Sequence, residues 1–100
     1  MVNRTFKLHL AYDGTAYSGW QRQPGRGTVQ GALEAALEKV TGQAVETLGS
    51  SRTDAGVHAL GQVVSLESAT RLAPDILQRA LNAELPDDVQ VFAATEAPGF

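Results

Sequence analysis

A chain of 100 residues with 43% apolar and 19% charged residues has the composition of one ordinary globular domain, which excludes intrinsic disorder and collagen-like repetition. The absence of cysteine excludes a disulfide framework, a thiolate nucleophile and sulfur-ligated zinc or iron–sulfur centres, and fits a reducing cytoplasm. The net charge of -3 attracts polyanions poorly, but residues 1–60 carry six Lys and Arg against five Asp and Glu, whereas residues 61–100 carry two against six, so phosphate is expected to meet the first part.

Phe6, Leu8, Leu10 and Tyr12 alternate with Lys7, His9, Ala11 and Asp13, a period of two that predicts a half-buried strand over residues 4–13. A loop over residues 14–27 follows, holding four glycines and Pro24; a connection of that length is more often functional or mobile than idle. Val29, Leu33, Ala36, Leu37 and Val40 then mark one face of a helix, with Thr28 as N-cap and Gly42 as its stop. Ala44–Leu48 and Leu60–Leu66 read as second and third strands joined by residues 49–59. Pro74 suits the first turn of a second helix lined by Ile76, Leu77, Ala80, Leu81 and Leu85, and Pro86 ends it. Val89, Val91 and Ala93 form a short fourth strand before Pro98-Gly99.

The order β-α-β-β-α-β predicts an α+β domain of ferredoxin-like or RNA-recognition-like architecture, a four-stranded antiparallel sheet with two helices on one face. Such a fold hosts many functions and decides none. No run approaches the roughly 18 apolar residues of a membrane span, and too few apolar residues follow Arg4 and Lys7 for a signal-peptide core, so the chain is expected to be soluble and cytoplasmic.

Several motifs invite chemistry and fail. Gly14 and Gly19 have P-loop spacing, but Trp20-Gln21 stands where Lys and Ser or Thr must reach phosphate and magnesium. Gly25-Arg26-Gly27 starts a dinucleotide fingerprint, yet Gln30 takes the place of its third glycine. Tyr12-Asp13-Gly14-Thr15 has the form of a phosphatase signature whose nucleophile is replaced by Ala11, leaving a turn in which Asp13 accepts backbone hydrogen bonds. His9 and His58 lack a second ligand at metal spacing, so nothing supports a zinc site.

The polar run Ser51-Arg52-Thr53-Asp54-Ala55-Gly56-Val57-His58 has two readings. It is either a plain connection in which Asp54 opens a turn and Gly56 supplies positive φ, or a reactive segment. In extended backbone Arg52 and Asp54 share a face, and a guanidinium beside a carboxylate keeps the carboxylate ionised, fit to act as nucleophile or base. A structural ion pair of little net value is the alternative.

Tyr12-Asp13-Gly14-Thr15, Gly19-Trp20-Gln21, Thr28-Val29-Gln30-Gly31 and Arg52-Thr53-Asp54-Ala55-Gly56-Val57-His58, followed by Gly61-Gln62-Val63, occur in this order. Together they resemble the amino-terminal half of the tRNA pseudouridine synthase A family. The resemblance implies an isomerase that breaks the uridine N1–C1′ bond, turns the uracil and rejoins it through C5 without metal or organic cofactor, acting as a homodimer on the anticodon stem-loop of tRNA around positions 38 to 40. It makes Asp54 the catalytic aspartate and Arg52 the residue that helps displace the target base. Ser51 departs from the glycine that many members have before this run.

Because a base cannot be rotated inside a stack, flipping must be offset by contacts to the extruded nucleotide. Tyr12, Tyr17 and Trp20 are candidate stacking surfaces, with core packing an equal alternative for Tyr12 and Trp20; Arg22 and Arg26 are candidate phosphate contacts. Residues 1–100 are expected to be the amino-terminal catalytic domain of such an enzyme, a fragment lacking the second domain and inactive alone. The alternative is a non-catalytic RNA-binding or interaction module of the same fold.

Overall fold

The computed structural model describes residues 4–17, 19–20, 27–49 and 59–96. Its elements are β1 (Arg4–Tyr12), a 3-10 turn (Gly14–Ala16), α1 (Val29–Thr41), β2 (Thr47–Gly49), β3 (Ala59–Ser68), α2 (Pro74–Glu84) and β4 (Val89–Glu96). The strands form one antiparallel sheet in the order β2-β3-β1-β4. This is the expected split β-α-β-β-α-β arrangement.

The period of two in β1 is realised as Phe6, Leu8 and Leu10 fully buried against the helices, with Lys7 exposed and His9 half-buried on the other face. Val64 and Leu66 of β3, Val89 and Val91 of β4, Leu33 and Leu37 of α1 and Leu77 and Leu81 of α2 complete the core. Burial of each large aliphatic side chain contributes about 1.5–3 kcal/mol, set against the entropy of ordering the chain. Arg4, at the start of β1, lies over the Phe6 ring at 4.7 Å and donates to the carbonyls of Thr70 and Leu72 and to Glu96 Oε1, fastening the β3–α2 connection to both central and edge strands.

The first helix begins and ends as its sequence predicts. Thr28 Oγ1 accepts from Gly31 N–H, and Gly42 closes the helix at φ 77°, the left-handed conformation glycine adopts without strain. Two further donors of its first turn are taken by the preceding loop: Val29 N–H donates to Gly19 O and Gln30 N–H to Trp20 O. With Ala32 N–H on Thr28 O, the helix start has no free donors for an anion.

Four expectations need correction. The second strand is Thr47–Gly49, not Ala44–Leu48, because residues 43–46 carry the chain from the end of α1 to the sheet edge, with Val45 buried on the way. Residues 14–27 are not wholly without structure: the 3-10 turn and the buried Trp20 lie within them. Ile76 is 42% exposed; the buried line of α2 is Leu77 and Leu81, continued by Leu85, so Ile76 falls one position off it. In β4 the register slips after Val91, which opposes Leu10 while Ala93 opposes His9. The slip turns Ala93 to the open face and gives the core position to Ala94.

Candidate functional site

The candidate residues are carried on two connections. Residues 21–26, with Arg22 and Arg26, join Trp20 to Gly27, and residues 50–58, with Arg52 and Asp54, join β2 to β3. Arg22, Arg26, Arg52 and Asp54 themselves lie outside the described residues. Their anchors are described, and these meet at one end of the sheet.

That end is built from the carboxyl end of β1 upward. Asp13 caps the 3-10 turn, its Oδ1 accepting from Thr15 N–H at 3.0 Å and Thr15 Oγ1–H at 2.6 Å, so Asp-Gly-Thr works here as a turn. Asp13 N–H donates to Asp88 O, and Tyr17 O–H donates to Asp88 Oδ1 at 2.7 Å, linking the first loop to the approach of β4. Burial first, and then the Asp88 carboxylate, push the Tyr17 phenol far above its ordinary range, so it remains a protonated donor. Tyr17 is half-buried against the core with its hydroxyl engaged.

Trp20 is 3% exposed, its ring stacked near Tyr12 at 6.4 Å between centroids and 23° between planes. Of the two roles the sequence leaves open for Trp20 and Tyr12, packing is the one these buried positions serve. The indole lies against the end of β2. A Cβ on Gly49 would stand 2.5 Å from Trp20 Nε1 and 2.7 Å from Cε2, and 3.0 Å from Gln62 Nε2, so this contact requires glycine. Gly49 is the last residue before the Asp54 connection, while Ala59, its first residue beyond, pairs with Tyr12. A register slip between Leu10 and Tyr12, opposite Gly61, gives β3 an extra residue at this end.

A polar pair on α1 holds β2 in place and escaped the sequence reading as a unit. Glu34 is buried and its Oε2 accepts from both Thr47 N–H and Thr47 Oγ1–H at 3.0 Å. Gln30 Nε2 donates to Thr47 O at 2.8 Å. The signal was available, since Gln30 and Glu34 are four apart beside the apolar stripe, where polar residues need partners. Gly49, Gln62 and the Asn82 contacts to β4 had no such local signal.

Among the described residues no group of three His, Cys, Asp or Glu is placed to hold a metal ion, and no helix is long and apolar enough to cross a membrane.

A family profile describing tRNA pseudouridine synthases matches residues 9–100. The chain belongs to that family. As a tRNA pseudouridine synthase family member it is 48% identical over 101 residues to tRNA pseudouridine synthase A of Geobacillus sp. strain WCH70, covering 99% of this chain and 41% of that protein. It is 45% identical over 95 residues to the protein of the same name from Caldicellulosiruptor bescii, covering 95% and 39%. Against the tRNA pseudouridine synthase A of Maridesulfovibrio salexigens the identity is 53% over 88 residues, covering 88% and 32%. The chain thus spans about two-fifths or less of the length of these curated relatives. The matched region of the synthase family contains both connections and all their described anchors.

Proposed function

We propose that this protein isomerises uridine to pseudouridine in tRNA, with Asp54 as the catalytic group and Arg52 assisting displacement of the target base. The observation that carries the reading is the family match over residues 9–100, which includes the Arg52-Thr53-Asp54 block. The frame supports it, because both arginine-bearing connections spring from anchors gathered at one end of the sheet.

In the reaction the N1–C1′ bond breaks, a C5–C1′ bond forms, the C5 proton is lost and N1 gains one, so no external oxidant or reductant is needed. An ionised carboxylate serves as nucleophile or base in such a step, and a neighbouring guanidinium favours that ionised form. Arg22 and Arg26 meet RNA phosphates, which the rest of the chain attracts poorly. The exposed part of Tyr17 borders the same RNA. The substrate site is the anticodon stem-loop around positions 38 to 40, and the working form is a cytoplasmic homodimer.

The test uses the natural full-length protein with tRNA tritiated at uridine C5. Tritium release accompanies pseudouridine formation by the wild type, and Asp54→Asn stops release while tRNA still shifts on a gel. Normal turnover by Asp54→Asn would refute the assigned role. Binding by the wild type with no product would instead mark an RNA-binding module.

A further inference from the structure

Trp20 is gripped from two sides by elements that do not otherwise meet it in sequence. Its carbonyl accepts from Gln30 N–H at 2.9 Å and the preceding Gly19 carbonyl accepts from Val29 N–H, which fixes its backbone to the start of α1. Its ring fills the space over Gly49, with Gln62 of β3 beside it and Tyr12 of β1 stacked near it. Gly49 in turn is held by pairing with Val64, and β2 is tied to α1 through Thr47. The indole and the buried Gln62 of β3 thus both converge on the last residue of β2, and β2 and β3 are the two strands that the Asp54 segment connects.

We propose that Trp20 is a positioning residue for the reaction: by packing closely over the Cα of Gly49, a spot that Gln62 Nε2 of β3 also approaches, it sets where β2 ends relative to β3 and so aligns the departure of the chain toward Asp54. The inference rests on the Asp54 reading given above. A core tryptophan that served only stability could sit anywhere along the sheet. This one sits at the strand end, in a contact so close that a single methyl group cannot enter it. A displacement of about 1 Å at a catalytic group costs up to roughly a hundredfold in rate, so small changes at this junction are expected to register in turnover.

The experiment compares Trp20→Phe, Gly49→Ala and the double variant in the natural full-length protein, with Leu81→Ala as a core control away from the junction. Turnover is measured per folded molecule, with kcat and KM for tRNA separated and the melting temperature recorded. Trp20→Phe is expected to lower kcat by about tenfold with KM within about twofold, and Gly49→Ala by at least as much. The smaller ring makes room for the added methyl, so the double variant should exceed Gly49→Ala alone, a non-additivity expected of groups in contact. Leu81→Ala should melt earlier and keep its wild-type kcat.

If Trp20→Phe behaves like Leu81→Ala, losing stability but not turnover per folded molecule, Trp20 is only a core residue and the inference is overturned. Should Gly49→Ala not fold, that same pair of variants decides. A wild type that forms no pseudouridine, or an active Asp54→Asn, would instead remove the reading on which the inference stands.

Discussion

The two ends of the sheet are held together by opposite means. At one end a single cation does the fastening: Arg4 reaches the Thr70 and Leu72 carbonyls and Glu96 at 2.7–2.9 Å, joining β1, β4 and the entry to α2. At the other end no cation takes part in the contacts described: Trp20 packs on Gly49 with Gln62 Nε2 near the same spot, and a protonated Tyr17 donates to the Asp88 carboxylate. The described residues carry five Lys and Arg against ten Asp and Glu, and the three remaining cations, Arg22, Arg26 and Arg52, all belong to the two connections that leave the second end. Three of the guanidinium's five donors are already taken by two carbonyls and a carboxylate whose charge opposes its own. Arg4 is thus engaged in the fold at one end, while Arg22, Arg26 and Arg52 stand on the connections that carry the candidate chemistry.

The contrast breaks first at Asp54. Asp54→Asn should lower pseudouridine formation by on the order of 10³-fold with an unchanged melting temperature; a large loss of stability would mean that this side chain belongs to the folding frame. Next, Leu81→Ala at a fully buried site should cost about 2–5 kcal/mol in denaturant unfolding and leave turnover per folded molecule intact. Replacing Arg22 and Arg26 by Gln should weaken tRNA binding several-fold and reduce the slope of log affinity against log salt by about one for each phosphate no longer neutralised, while Arg71→Gln, an exposed cation outside the connections, should leave that slope alone.

Smaller effects separate the two ends by pH. Tyr17→Phe should cost about 0.5–1 kcal/mol, a hydrogen bond reduced by the solvent that reaches the pair. Because the folded state raises the phenol's affinity for its proton, this contribution is complete below the ordinary tyrosine range and fades as pH climbs above it, so wild type and Tyr17→Phe should converge in alkaline melts. At the opposite end, the hydrogen bond from Arg4 holds Glu96 below the usual carboxylate range. Its contribution is present above that range and disappears as pH falls through the lowered value. Arg4→Met should therefore show a slightly shallower acid loss of melting temperature than wild type.

Element order and the core were legible because Phe6, Leu8 and Leu10 keep a clean period of two and Leu33 and Leu37 a clean helical one. Local rules failed where tertiary contact decides. Ala93 and Ala94 are alike, so their alternation could not reveal the slip in β4 that exchanges their faces. Ile76 looked as apolar as Leu77, and only the direction in which α2 meets the sheet separates them. Within the candidate site, the Asp13 turn and the Thr28 cap follow from residues two or three apart and were readable. The Trp20–Gly49 contact spans 29 positions and exists only after β2 has paired with β3. For Asp54 and Arg52 the expectation rests on the ordered blocks, since the two side chains alone fit an ordinary ion pair equally well.

One contact of α2 bears on one exposed edge of this sheet. Asn82 Nδ2–H donates to Val91 O and Asn82 Oδ1 accepts from Val91 N–H, both at 2.8 Å, while Gln78 adds a weaker donor to the same carbonyl. The side-chain amide thereby imitates a neighbouring strand near the start of β4, an outermost strand of the sheet. An incoming β-segment would have to displace it or halt there, so edge-to-edge growth along the whole of β4 is blocked while the domain stays folded. Removal of that amide, as in Asn82→Leu, would leave a template for aggregation without touching the candidate catalytic end.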